Sequence, residues 1–214
     1  MEYKLVALNV GKVKSDIYKR KELLTGIYKT QIQEKVFVSS LQISGDEQAD
    51  LVNHGGPDKV ICVYPHDHYP YWSNELGIEM KPGAFGENFT VEGLTEDIAC
   101  IGDIFAIGEI EVQVSLPRQP CFKVAHKLKK DELPVMIQNT GYSGFYLRVL
   151  KEGHIEPGQS LRLLKRHPKE ITVSFVNQIK YHDKYNREAL EILSDLTELS
   201  QGWKDTFRNR LAEL

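Results

Sequence analysis

The chain has 214 residues, 41% of them hydrophobic and 27% charged, a composition that excludes disorder, fibrous repeats and low-complexity segments. Its 27 Lys and Arg stand against 30 Asp and Glu, for a net charge of -3. That argues against a general polyanion binder while leaving a local basic site open.

The N-terminal stretch MEYKLVALNVGKV alternates like a strand and carries Glu2, unlike a signal or transit peptide. No apolar run reaches the length of a membrane span, so a cytoplasmic protein is expected. Further strand-like segments run from Lys4 to Val10, Val36 to Ile43, Lys59 to Tyr64, Ile104 to Ile107 and Ile110 to Leu116, separated by Gly, Pro and Asp clusters. Gly144 to Lys151 alternates with Phe145, Leu147 and Val149 on one face. Helices are predicted over His66 to Leu76, after Pro65, and over Asp131 to Asn139.

The pattern changes at His167 and Pro168. Three helical stretches follow, Ser174 to Tyr181, Lys184 to Ser194 and Gln201 to Leu214, with Asp183 and Ser200 as N-caps. Leu199, Trp203, Phe207 and Leu211 recur at helical spacing and form a packing face. The expected division is a β-rich domain over residues 1–167, a barrel or sandwich, and a small three-helix domain over 168–214.

Cys62, Cys100 and Cys121 are widely spaced, with no Cys-x-x-Cys pair, which argues against a disulfide framework and a structural zinc or iron–sulfur site. Cys62 in KVICVYP and Cys100 in DIACIGD read as small buried hydrophobes. Cys121 lies in SLPRQPCFKVAHKL, where Pro117 and Pro120 stiffen the flanks of Arg118 and Gln119. The Arg118 guanidinium and a helix starting at Phe122 favour a thiolate there, leaving an inert cysteine, a nucleophile and a soft-metal ligand as open readings.

In DLVNHGGPDKVI, His54 precedes Gly55 and Gly56. This is either a solvated turn or a place where backbone approaches an anion and a histidine moves a proton. In GAFGENFTVEG, Glu87 and Asn88 between Phe85 and Phe89 are turn formers or pocket-lining groups. The HDHY run, His66 to Tyr69, is not read as a metal site, because residues two apart on a helix do not face each other. Phosphate loops, Gly-x-Ser-x-Gly and paired-histidine zinc helices do not occur in the sequence.

Taken together, GDEQADLVNHGGPDKVICVYP, GAFGENFTVEGL, SLPRQPCFKV and GYSGFYLRVLKEGHIEPGQSLRLLKR resemble the MOSC domain, the molybdenum cofactor sulfurase C-terminal family, and its stand-alone bacterial YiiM-type subgroup in particular. The resemblance implies a closed, mostly antiparallel β-barrel of the pyruvate-kinase-barrel kind with peripheral helices, followed by the small three-helix domain. It also implies a molybdenum cofactor, with Cys121 as the metal ligand, and reduction of N-hydroxylated compounds such as hydroxylamino base analogues.

Arg118, Asn88, Asn139, Gly55 and Gly56 are then candidates to hold the cofactor, and His54 to supply a proton. The expected partners are a small N-hydroxylated substrate and a separate electron-donating reductase, for which the helical tail is a candidate docking element, with a homodimer as a further candidate and no membrane or nucleic-acid polymer. The competing readings are a non-redox carrier of the cofactor or of sulfur on Cys121, a cysteine hydrolase using Cys121 with His54 or His126, and a binding module.

Overall fold

A computed structural model describes residues 1–51 and 55–214. The N-terminal third is extended: β1 (Glu2–Val10), β2 (Lys14–Tyr18), β3 (Lys21–Thr25), β4 (Thr30–Gln31) and β5 (Val36–Val38). Next come β6 (Ile61–Pro65), α1 (Tyr69–Leu76), β7 (Phe89–Glu92), β8 (Ile104–Ile107) and β9 (Ile110–Pro117). Then follow α2 (Phe122–Leu128), α3 (Leu133–Thr140), β10 (Phe145–Lys151), β11 (Gly153–Ile155) and β12 (Ser160–Lys165), and the tail holds α4 (Val173–Tyr181), α5 (Arg187–Ser194) and α6 (Gln201–Ala212).

Seven of these strands close into a barrel in the order β12-β8-β9-β10-β6-β7-β1, with β1 pairing back onto β12. Closure removes the unpaired sheet edges that would otherwise template aggregation. The pairings are antiparallel except β6 with β7, which run parallel, so the barrel is mixed. Inward side chains fill it: Leu5, Val63, Phe89, Phe105, Val112, Val114, Phe145, Leu147 and Leu161 are all buried.

The same apolar cluster continues without a break into Val173, Val176, Ile179, Leu190, Leu193, Trp203 and Phe207 of the tail. Backbone ties reinforce the join: Ser200 N–H donates to the Ser115 carbonyl at 3.1 Å and Val173 N–H to that of Ala99 at 2.9 Å. A second cluster joins Tyr64, Trp72 and Phe85 to Val124 of α2 and to Leu133 and Ile137 of α3. Tyr64 and Phe85 stack there at 3.9 Å.

Several boundaries differ from expectation. The strand predicted to Ile43 stops at Val38, because a turn closed by Ser39 N–H on the Gln42 carbonyl at 2.9 Å folds Ile43 back across Val38. Pro57–Lys59 forms a 3-10 turn, which delays β6 to Ile61. The helix predicted from Lys184 begins at Arg187, capped by the Asn186 carboxamide, while the Asp183 carboxylate accepts from Asn186 Nδ2 at 2.8 Å. Thr172 caps α4 through Phe175 N–H at 3.0 Å.

The β2–β3 hairpin was not anticipated. Lys14 pairs with Thr25 and Tyr18 with Lys21, and the turn residues Lys19 and Arg20 both have positive φ, 48° and 65°. Such two-residue turns ordinarily use Asn or Gly, so the usual sequence signal is missing.

Phe207 is fully buried where tail meets barrel, so Phe207→Ala is expected to cost about 3–5 kcal/mol. Urea unfolding read by circular dichroism and by fluorescence should give coincident single transitions, because the core is continuous; separate transitions for tail and barrel would contradict this.

Candidate functional site

The site lies where β9, β10 and β6 end together. Tyr146 of β10 is the cross-strand partner of Cys62 on β6 and of Leu116 on β9. The register then slips, since Leu147 faces Val114, and Ser115 is the extra residue. This bulge turns its own hydroxyl onto the Asp58 carbonyl at 2.6 Å and the Tyr146 carbonyl at 3.0 Å. Bulges of this kind re-aim the residues that follow, here Pro117 to Cys121.

Arg118 comes first in that segment and is buried, at 6% exposure. Its backbone N–H donates to the Gly144 carbonyl at 3.0 Å and its Nη2 to the Phe85 carbonyl at 2.6 Å. Burial works against its charge, but Cys62, Tyr146, Glu87 and Cys121 all face it, and together they hold the guanidinium above its ordinary value.

Cys121 is the N-cap of α2, in extended conformation with φ -122° and ψ 140°. Its sulfur accepts the Lys123 N–H at 3.5 Å. It is half-buried, whereas Cys62 and Cys100 are buried.

The cleft beside it is narrow, about 80 Å³, below the roughly 300–1,000 Å³ usual for small-molecule sites. It is lined by four cations, Lys29, Lys59, Lys123 and Arg118, and by three acids, Asp46, Glu47 and Asp50, and Cys62, Tyr146 and Asn88 also face it. Gly26 lines it where a β-carbon would meet the Glu47 carbonyl oxygen at 2.2 Å, so only glycine allows the two chains this close. Lys29 pairs with Asp46, and burial pushes Lys59 down against the opposing pull of Asp58 and Asp50.

Cys62 is more than the small buried hydrophobe its apolar strand suggests. It is buried, yet it forms part of the wall of this cleft beside Tyr146, its cross-strand partner. Burial pushes the Cys62 thiol up, with Arg118 opposing. Burial, and then the Cys62 charge, push the Tyr146 hydroxyl up, so it stays protonated at neutral pH. Only the long-range register could have revealed this pair.

Asn88 lines the cleft as expected. Its carboxamide is also structural: Oδ1 accepts Cys62 N–H at 3.1 Å and Nδ2 donates to the Asn9 carbonyl at 3.2 Å. Glu87 is a loop anchor, its carboxylate accepting from Gly83 N–H at 2.7 Å, Phe85 N–H at 3.0 Å, Thr90 Oγ1 at 2.8 Å and the Tyr69 hydroxyl. His68 is bonded to Glu96 at 2.6 Å and stacked on Tyr142 at 3.8 Å.

Other expectations need correction. Asn139 is exposed on α3 and is not among the cleft-lining residues. Gly55 and Gly56 line a neighbouring hollow with Gln119 and with Ser200, Gln201 and Trp203 of the tail, rather than the Cys121 cleft. Gly55 is nonetheless required, since a β-carbon would meet the Leu51 carbonyl oxygen at 2.5 Å. His54 lies outside the described residues. His126 bonds Asp16 of the hairpin at 2.9 Å and its ring meets Tyr18, so it is not a cleft-lining partner for Cys121.

The fold and this cleft define a member of the MOSC family, to which the chain belongs: the MOSC domain model matches residues 50–162 and the YiiM-like, 3-alpha helix domain model matches 171–214. Among particular proteins, it is 48% identical to YflK of Bacillus subtilis (strain 168), over 97% of this chain and 94% of that one. The crystal structure of YiiM from Geobacillus stearothermophilus superposes with a TM-score of 0.84 at 40% identity, covering 98% and 99% of the two chains. A protein of Gibberella moniliformis (strain M3125 / FGSC 7600) named "Reductase" is 34% identical over 83% of this chain and 32% of its own length.

MOSC domains are associated with the molybdenum cofactor, and the residues present fit such a group. A soft sulfur at the rim suits molybdenum, and Lys59, Lys123 and Arg118 on the walls suit an anionic, phosphate-bearing pterin, although Asp46, Glu47 and Asp50 line the same cleft. Among the described residues no three His, Cys, Asp or Glu side chains gather as a metal cage, so a metal here would bring most of its own ligands. No helix among the described residues is long and apolar enough to cross a membrane.

Two measurements test this geometry. Titration of the native protein with a thiol reagent should modify Cys121 first, since only it is partly accessible, and Cys121→Ser should abolish the fast phase. Below the cleft, Lys127 donates to the Gly83 carbonyl at 2.6 Å and the Ile27 carbonyl at 3.1 Å, and burial pulls it from 10.5 to about 8. Between those values the unfolded chain binds more protons, so this lysine makes stability rise with pH across that window. Urea midpoints for wild type and Lys127→Met at the two ends of the window should show the slope shrinking in the variant.

Proposed function

We propose that this protein is a molybdenum-cofactor-dependent reductase of small N-hydroxylated compounds, acting in the cytoplasm, with Cys121 as the metal ligand. The observation that carries the reading is the half-buried Cys121 sulfur at the cap of α2, on the rim of a cleft walled by Lys29, Lys59, Lys123 and Arg118. The family's association with the cofactor and the relative named "Reductase" support it.

Bound in the cleft, the cofactor would supply two-electron oxygen-atom chemistry. The chain's own residues do the rest. Cys121, on backbone fixed by Pro120 and the first turn of α2, holds its sulfur in one place. Lys59 and Lys123 meet anionic oxygens, while the buried Arg118 charge faces both thiols.

Converting an N–OH group to N–H and water takes two electrons and two protons. Tyr146, kept protonated by burial, presents an O–H on the cleft wall. His54, which lies outside the described residues, is the other candidate proton source. Electrons come from a separate reductase.

The test is purification from a host that makes the cofactor, with molybdenum and pterin quantified in wild type and Cys121→Ser. Wild type should carry both, and the variant should lose most of its molybdenum. Wild type should then reduce an amidoxime or an N-hydroxylated purine with a reduced viologen dye. Metal without turnover would favour a carrier, and folded protein without metal or pterin would overturn the reading.

A further inference from the structure

The chain's charge is segregated in a way that its total of -3 conceals. Residues 12–25, the β2–β3 hairpin and its approach, and residues 121–130, Cys121 with α2, together hold nine Lys and Arg against two acids, so the remainder of the chain carries -10.

These two segments lie side by side. Tyr18 packs on Phe122 with ring centroids 5.0 Å apart, and His126 is bonded to Asp16 at 2.9 Å. Both acids are engaged within the unit, Asp16 by His126 and by the Tyr28 hydroxyl at 2.5 Å, and Glu22 by Ser15 Oγ at 2.8 Å. Of the cations, Lys12, Lys14, Lys19, Arg20, Lys21, Lys129 and Lys130 are exposed.

The hairpin and α2 also expose apolar side chains. With Asp16 and Tyr18 turned onto α2, strand alternation turns Ile17 outward, and the register places Leu24 diagonally beside it. Ile17 is 71% and Leu24 53% exposed, and Phe122, next in sequence to Cys121, is 44% exposed. The hairpin tip carries Lys19 and Arg20 at positive-φ positions that ordinarily go to Asn or Gly.

From this arrangement we propose that the hairpin and α2 form the docking face for an acidic electron-transfer protein, which delivers electrons beside Cys121. The inference rests on the reductase reading for its purpose and on the charge segregation for its partner. A positive surface with exposed apolar residues nearby and a strongly negative remainder orients an acidic partner over the cleft and repels it elsewhere. The face differs from the helical tail, whose apolar stripe is buried against the barrel.

The test uses an acidic flavodoxin as the probe and the variant Lys19→Asn/Arg20→Gly/Lys21→Glu, whose first two changes suit the turn. Lys151→Glu, at the far end of β10, is the control, and thermal unfolding confirms that each protein folds. Calorimetric titration should show binding that weakens about tenfold or more in the triple variant and at high salt, but not in the control.

Flavodoxin-driven reduction should fall in parallel, while viologen-driven reduction and molybdenum content stay at wild-type levels. Equal flavodoxin binding by wild type and triple variant, or capture of acidic vesicles or RNA in place of flavodoxin, overturns the proposal. Loss of viologen-driven turnover in wild type instead overturns the reductase reading, and the titration still decides the docking face.

Discussion

A permanent positive charge is costly to bury, and Arg118 is buried at the base of the cleft. Its surroundings answer that cost. The Phe85 carbonyl takes a guanidinium hydrogen bond, and the loop presenting it is held by the Glu87 carboxylate through Gly83 and Phe85 N–H and Thr90. Cys62, Tyr146 and Cys121 turn their ionisable groups toward the same charge. Loop 83–89, the ends of β6 and β10, and the start of α2 are thus arranged around one guanidinium. Replacing it with an apolar side chain would leave this polar floor without its centre.

The barrel makes the arrangement stiff. Closure fixes the register of Cys62, Tyr146 and Leu116, and the extra residue Ser115 redirects the chain so that Cys121 emerges as a helix cap. The tail adds to this end of the barrel through the Ser200 contact with Ser115 and through the shared core. The hairpin, outside the barrel, brings charge to the same rim. A rigid floor and a cationic rim are consistent with positioning a small anionic cofactor and meeting a macromolecular partner on adjoining surfaces.

Much of this was legible in the chain. Period-two segments located most barrel strands, and the Pro-Arg-x-Pro-Cys run located Cys121, because prolines restrict the backbone locally and need no tertiary partner. The hairpin escaped because its strands mix polar and apolar residues on both faces and its turn is Lys19-Arg20 instead of an Asn-Gly type. Asn139, a cofactor candidate by resemblance, is exposed on α3 outside the cleft lining. Cys62 looked like packing because an apolar strand hides which of its residues border a cavity.

Elements with a local cause were legible in the chain alone: strand alternation, the Ser200 cap of α6 and the braced thiol at 121. Folding set which side chains share the cleft with that thiol. Cross-strand register puts Cys62 beside Tyr146 although they lie far apart in the chain. It also decided that a chain of net charge -3 presents a positive face, because charges sum over the whole sequence but act over about a Debye length, and folding sets which of them are neighbours.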